Sequence, residues 1–524
     1  MSGLMAGCAA KPTLDAPPVR GDWRDSVTTA EASGYTRTST HADVVRVLDS
    51  IARRSVLARR VSMGRSKEGR DLPMIVIADP PVGTSLEAKE AARSGRPTVL
   101  LFANIHAGEV DPKEALLMLA RELASGGHPE VTGSVVTAIA PIYNADGNER
   151  FGDGSRHRPG QNGPGSVGVR ENADGLDLNR DFIKLEAPET RALVAFINEW
   201  DPAVVLDGHT TNGSHHRYLV TTAGPKSPAG DPGVARFWRD RFITRVMRGF
   251  EGTTGEGTFW YGNFEGEFEG TPGWTRWETF PAEGRFGTTY IGLRGRLSVL
   301  LESYSYAPFR DRVLGSRAFA LETLRAVAAM RGEIGRELAR ADAEPVAGRT
   351  IAITSKAVSL GKVLVKGFEE GTAEPGAKGM GGTPKDHAVE LWDGFEATQS
   401  VVAPNAYAVL NPAEKVLDVL RAHGVRSERL AADRMIRAER LRVTSAKSAS
   451  RLFQEHALVR ATVEAEPADV RLPSGTLLVP TDQPLGRLVV YLLEPACEDG
   501  LTTWNYFDDS LVMGQLMPIV RVRE

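Results

Sequence analysis

The sequence predicts an α/β protein with a mixed, mostly parallel sheet sandwiched by helices, followed by a second, smaller α/β accessory domain. Three observations predict it. Apolar, β-branched runs recur at 98–103, 135–142, 203–206 and 297–301, and the last is continuous enough for a strand buried on both faces. Segments of helical period precede and separate them, at 42–58, 110–124 and 188–200. The chain has 524 residues, too many for one ordinary core.

In chain order, residues 1–40 form a tail, and the Pro-, Thr- and Ser-rich part from 9 to about 40 reads as a tether or a wrapping arm. Val44, Val45, Val47, Leu48 and Ile51 share one face of the helix over 42–58. A polar hairpin at 64–73 leads into a strand at 74–78. The strand 98–103 is followed by the helix 110–124, whose Pro112 lies in the first turn, where a missing N–H costs nothing. After the strand 135–142 comes a long polar, Gly-rich stretch to 175, then the helix 188–200 and the strand 203–206. A long amphipathic helix over 316–343 closes the larger domain, spanning 41–344.

The accessory domain, 345–524, begins where the pattern shortens. Strands are expected at 350–354 and 362–366, a Gly-rich loop at 371–383, and a β-α-β unit over 406–410, 413–423 and 426–430. A strand at 477–479 and a helix at 485–493 follow. No His/Glu/Cys constellation occurs in this part, which is expected to pack on or restrict a cleft of the larger domain.

Composition excludes several classes. A net charge of -4 with no basic, aromatic-interleaved stripe argues against nucleic acid as a partner. No apolar run reaches the roughly 18 residues of a membrane helix. Two cysteines, Cys8 and Cys497, give neither a disulfide framework nor a Cys-based zinc site. Leu4-Met5-Ala6-Gly7-Cys8 has the form of a lipobox, so export to the cell envelope or periplasm with lipidation of Cys8 is expected; a cytoplasmic location is the alternative.

The chemistry gathers at strand ends. His106-Ala107-Gly108-Glu109 follows one apolar run, Asn144 a second and His209 a third, while Glu302 ends a fourth. In an open α/β sheet ligands bind outside the carboxyl ends of the strands, where strand order reverses. Two imidazoles and a carboxylate suit zinc, which binds nitrogen and oxygen at roughly 2.0–2.2 Å and leaves one catalytic position open. Each residue alone is better explained as a strand cap or loop bond; their coincidence favours a metal site. A glutamate ending a buried strand is costly unless paired, so Glu302 is either a base in a cleft or the partner of Arg294 or Arg296.

The motifs resemble those of the M14 zinc metallocarboxypeptidases, in the bacterial branch with an extra C-terminal region. The resemblance runs over about residues 40–330. It is carried by Gly64 to Leu72, His106-x-x-Glu109, Asn144-Ala145-Asp146-Gly147, Leu176 to Asp181, Asp207-Gly208-His209 and Leu300 to Tyr306. It implies one zinc ion per chain on His106, Glu109 and His209, with Glu302 as general base. Asn179 and Arg180 match the pair that binds a substrate's terminal carboxylate, a task suited to the planar guanidinium fork. Asp177 matches a carboxylate that orients a zinc histidine. Arg158 is the preferred match for an arginine on the scissile carbonyl, with Arg156 and Arg170 as alternatives. Tyr290 is the nearest match for an assisting tyrosine, with Tyr261 as its rival.

The implied activity is release of a C-terminal residue from a peptide or peptide-like substrate with a free carboxylate. A zinc amidase or deacylase acting on N-acyl amino acids or cell-wall peptides is the enzymatic alternative. A catalytically idle binding module is the other. His215 and His216, beside Arg217, read as a loop or pocket rim, and Trp260, Trp274 and Trp277 as part of a segment walling the pocket.

Overall fold

The computed structural model describes residues 14–19, 21–265, 274–369 and 382–524. Cys8 and most of the Gly-rich loop lie outside them. Among the described residues no helix is long and apolar enough to cross a membrane.

Eight strands form the main sheet: β1 (Ala58–Arg65), β2 (Asp71–Ile77), β3 (Thr98–Ala103), β4 (Val136–Ala140), β5 (Val204–Thr210), β6 (Val220–Ala223), β7 (Thr258–Trp260) and β8 (Leu297–Ser303). Their spatial order is β1-β2-β4-β3-β5-β8-β6-β7. The central β4-β3-β5-β8 strands pair in parallel, and β1, β2 and β6 join antiparallel. The mixed, helix-flanked sheet is the fold class expected from the strand and helix periods. Every residue of β3, β4, β5 and β8 is buried, which is why these segments read as apolar runs rather than alternating ones. After β3 the chain moves to β4 on one side, then returns to β5 on the other. The strand order therefore reverses beside β3, and the crevice for a ligand opens between the carboxyl ends of β3 and β5.

Helices cover the sheet. Helix α1 (His41–Arg54) starts at a capping box in which Thr40 accepts from the Asp43 N–H and Asp43 from the Thr40 N–H. It stops at Ser55, short of the expected 58, because Ala58 already belongs to β1. Helix α2 (Asp111–Ala124) is buried all round, charged residues included. Helix α3 (Pro188–Trp200) has the expected bounds. Helix α4 (Phe309–Ala343) begins a turn and more before the expected 316.

The burial of α2 explains the segment before α1. Glu114 of α2 accepts hydrogen bonds from the Ser39 N–H (2.6 Å), the Thr38 hydroxyl (2.8 Å) and the Ser39 hydroxyl (3.0 Å). Lys113 donates to the Ser39 carbonyl and to Asn148, each at 2.6 Å. The described part of the N-terminal segment thus wraps α2 and satisfies its buried charges.

The C-terminal part is built mainly of strands. Ala406–Val409 and Glu428–Arg429, linked through the helix Glu414–Ala422, both pair antiparallel with Leu477–Pro480 lying between them. Two long strands that the sequence did not signal, Arg434–Ser448 and Val459–Leu472, form a hairpin on the same sheet. Their side chains are largely exposed on both faces, so no apolar alternation marks them. Pro384–Trp392 pairs in parallel with Arg276–Glu278, joining this part to the catalytic region, and one apolar cluster runs through both.

Replacing Glu114 by Ala strands four buried donors, the Ala30 N–H among them, and a loss of about 4 kcal/mol is expected at roughly 1–3 kcal/mol for each unsatisfied group. A lowered urea midpoint, with earlier proteolysis before residue 40, checks this; an unchanged midpoint contradicts it.

Candidate active site

Topology brings the strand-end residues together. His106 and Glu109 lie in the loop after β3, and His209 lies near the carboxyl end of neighbouring β5. Glu302, on β8, is in direct register with His209. Alternation along β5 puts Asp207 and His209 on one face and Gly208 on the other. A Cβ at Gly208 would lie 2.8 Å from the Pro112 ring, so only glycine lets the start of α2 pack this close to the strand.

The potential ligand atoms of His106, Glu109 and His209 lie within 4.8 Å of one another, and all three side chains are buried. His106 Nδ1 is 3.0 Å from one Glu109 oxygen, and His209 Nδ1 is 3.0 Å from the other. Each outward-facing nitrogen meets a second carboxylate. His106 Nε2 donates to Asp177 Oδ1 at 3.0 Å. His209 Nε2 lies 3.0 Å from Asp207 Oδ1, close but poorly aligned for a hydrogen bond. Carboxylates behind both rings favour the Nε2–H tautomer, which turns each Nδ1 lone pair toward Glu109. Lone pairs facing carboxylate oxygens at 3.0 Å repel unless a cation or a proton sits among them. The donor set therefore fits a divalent ion such as zinc.

Burial opposes ionisation of Glu109, but His106, Arg158 and the histidine hydrogen bonds outweigh it and hold the carboxyl well below its usual range. Asp177 is depressed in the same way, with burial overcome by His106, Arg170 and Arg180. For His209 burial is overcome by Asp207 and Glu109, so its protonation is strongly favoured. Glu302 behaves differently: burial pushes it up to about 8, and His209 only partly offsets this. A dication held by the triad would oppose that rise.

Two arginines flank Glu109. Arg158 donates to Glu109 at 3.0 Å, to the Thr210 and Thr211 carbonyls at 2.7 and 2.9 Å, and to Gln161 at 3.2 Å. Its donors are committed to the scaffold. Arg170 grips Asp177 through Nε and Nη2 at 3.1 and 2.8 Å, while its Nη1 stays 3.7 Å from Glu109. Arg156 is exposed on the surface.

A cavity of about 440 Å³ opens over the triad, and His106, Glu109, His209, Glu302, Arg158, Arg170, Asn179, Arg180 and Tyr261 all line it. The Asn179 side-chain oxygen accepts from the Gly287 N–H at 2.9 Å, which leaves its NH₂ to donate. The Arg180 guanidinium lies 4.4 Å over the Phe286 ring. A larger cavity of about 680 Å³, between the helix Ile243–Thr254 and α4, has charged walls and lacks these ligands.

Tyr290 is not brought to the cavity. It is fully buried in the helix Gly287–Leu293, where its hydroxyl bonds His423 at 2.8 Å and accepts from Arg294 at 3.1 Å. The helical turn carries it to the far side of Thr288, so the tyrosine at the cavity is Tyr261. Trp274 stacks on Phe264 and Trp277 meets it edge-on, away from the cavity, which is walled by Tyr261, Phe280 and Phe286 instead. His216 is buried among Tyr304, Tyr218 and Trp277, and burial lowers it to about 3; His215 stacks on Tyr306. Glu302 has neither Arg294 nor Arg296 as its partner, since these bond Asn198 and the pair Asp201 and Asp342.

Residues outside the expected set hold the frame. Asp146 takes the Ser66 hydroxyl at 2.6 Å and the Glu68 N–H at 2.9 Å, which explains the polar hairpin motif. Asn144 donates to the Ile105 and Arg170 carbonyls at 3.3 and 3.1 Å, fixing the backbone next to His106. Asp111, fully buried, accepts from Thr210 on β5 at 2.7 Å and from Ser303 on β8, and pairs with Arg312 at 3.5 Å. It clamps together the two strand ends that carry His209 and Glu302.

Fold and site together give a mixed, helix-flanked α/β sheet with a candidate metal centre at the carboxyl ends of its central strands. Residues 44–220 match the family model described as zinc carboxypeptidase, peptidase M14. Carboxypeptidase D of Mus musculus is 35% identical over 179 residues, covering 30% of this chain and 13% of that protein. Carboxypeptidase Z of Mus musculus is 37% identical over 150 residues, covering 27% of this chain and 21% of that protein. The chain thus spans only a small share of these relatives' length. A metallo-carboxypeptidase structure from Burkholderia cenocepacia aligns with a TM-score of 0.39 and 19% identity, over 55% of this chain and 69% of that one.

Asp177→Ala removes the carboxylate behind His106 and should weaken zinc binding roughly 10- to 100-fold in competition with a chromogenic chelator. Unchanged affinity contradicts the orienting role.

Proposed function

We propose that the chain is a zinc carboxypeptidase that releases the C-terminal residue of a peptide, with one zinc ion per chain held by His106, Glu109 and His209. The observation that carries this reading is the shared cavity: the Asn179 and Arg180 donors and Glu302 open onto the same space as the triad. Bound zinc would acidify a water to a pKa of about 7 and polarise the scissile carbonyl. The terminal carboxylate docks on Arg180 and the Asn179 amide, which sets the last peptide bond against the triad. Arg170 offers its uncommitted Nη1 to the scissile carbonyl oxygen, while Arg158 acts as a strut that holds Glu109 against β5. Glu302 takes a proton from the attacking water and delivers it to the leaving amine. Tyr261, close above this space, donates from its phenol, which burial keeps protonated. Phe280 and Phe286 wall the cavity on the Arg180 side.

Peptides with free C-termini should be cleaved and their C-terminal amides should not, and a chelator should abolish the cleavage. Equal cleavage of both would favour an amidase or deacylase. Glu302→Gln should keep its zinc and lose at least about a hundredfold in kcat, within the range for general acid–base catalysis; near-normal turnover removes Glu302 as the base. Tyr261→Phe should lower kcat, whereas Tyr290→Phe should lower the melting temperature and leave kcat unchanged. The reverse pattern would return the assisting role to Tyr290.

A further inference from the structure

The hairpin Arg434–Ser448 and Val459–Leu472 carries a loop that reaches back to the catalytic cleft. Near its tip, Phe453 and His456 exchange backbone hydrogen bonds at 2.8 and 3.1 Å around Gln454 and Glu455. Both central residues have positive φ, +51° and +64°, the backbone of a primed turn that ordinarily selects Asn and Gly. Two long side chains in left-handed conformation are an unfavourable choice for a free loop, and such outliers gather where surrounding contacts enforce them.

Gln454 Oε1 accepts the Asp177 N–H at 2.8 Å. His456 is pinned between Asn505 at 2.9 Å and Glu186 at 3.0 Å, and Arg285 lies 5.2 Å over the Phe453 ring. Asp177 is the hub of the cleft wall. Its Oδ1 meets His106 and the Asn179 N–H, and its Oδ2 meets Arg170. Asp177 also caps the short turn Leu178–Arg180.

We propose that Gln454 is a positioning residue of the catalytic centre: by accepting the Asp177 N–H, it holds the segment Asp177–Arg180 that orients His106 and presents Asn179 and Arg180. The C-terminal part thereby completes the site without supplying a ligand or a group that touches substrate. This rests on the metal-site and carboxylate-docking reading above. Removing the acceptor leaves a partly buried N–H unpaired and frees the capping residue to shift, so metal affinity and substrate docking loosen together.

The test compares Gln454→Met, which keeps side-chain length but removes the acceptor, with Glu455→Gly, which relaxes the turn and keeps the contact. In Gln454→Met the zinc dissociation constant should rise about fivefold, short of the roughly 10- to 100-fold for a direct partner of a ligand. Hydrogen exchange should quicken at Asp177 and Asn179 but not on β8, and KM should rise more than kcat falls. Glu455→Gly should match the wild type. The proposal is overturned if Gln454→Met binds zinc and exchanges like the wild type. It is equally overturned if both variants lose affinity alike, which assigns the effect to turn stability. Failure of the wild type to cleave free-C-terminal peptides would sink the functional reading alone, since zinc affinity and exchange still decide the role of Gln454.

Discussion

A buried carboxylate flanked by two imidazoles is the constraint around which this molecule is organised. Glu109 presents one oxygen to each histidine, and each histidine is backed by a further carboxylate. Glu109 and Glu302 line the cavity, Asp177 and Asp207 stand behind the histidines, all four are buried, and Arg158, Arg170 and Arg180 also border the cavity. Burying so much negative charge is tolerable only if positive charge is placed among it, and a dication at the triad does this most compactly.

The rest of the fold can be understood as support for that arrangement. The sheet reverses its strand order beside β3, so the loop after β3 and the end of β5 face one crevice. Asp111, at the first residue of α2, clamps the ends of β5 and β8, and the buried Arg312 of α4 holds Asp111. Gly208 lets α2 approach closely enough for this clamp to form. Helix burial, strand register and ligand placement are therefore not separable: α2 is covered by the N-terminal arm, and its own N-terminus sets the distance between His209 and Glu302.

Much of this was legible in the chain, because buried parallel strands announce themselves as apolar runs and their polar end residues stand out against them. The β3 strand and the α3 helix have the bounds read from periodicity, and the strand-end residues His106, Glu109, His209 and Glu302 all reach the same cavity. What stayed hidden has physical reasons. Asp207 was legible only as part of the Asp207-Gly208-His209 motif, since nothing in the order Asp-Gly-His says which ring nitrogen the carboxylate will face. Arg158 and Arg170 have the same chemistry in sequence and differ only in how many donors the backbone consumes. Tyr290 lies nearer to Glu302 along the chain than Tyr261, yet a helical turn points it into the core. The long hairpin carries charges on both faces, so neither helical nor strand period marks it, and Gln454 is an unremarkable polar residue until the fold brings it to Asp177 across 277 positions.

The C-terminal part therefore behaves less as an appendage than as a buttress. It pairs with Arg276–Glu278, bonds the Ile183 carbonyl through His423 and the Gly284 N–H through Tyr491, and ties down Arg285 through Asp499. The most direct test of the central claim is X-ray absorption at the zinc edge on the full-length, zinc-loaded protein. Two nitrogen scatterers and carboxylate oxygen at roughly 2.0–2.2 Å, with no sulfur, is the first shell that a His106, Glu109 and His209 site requires. A sulfur contribution, or a shell of oxygen alone, would contradict it.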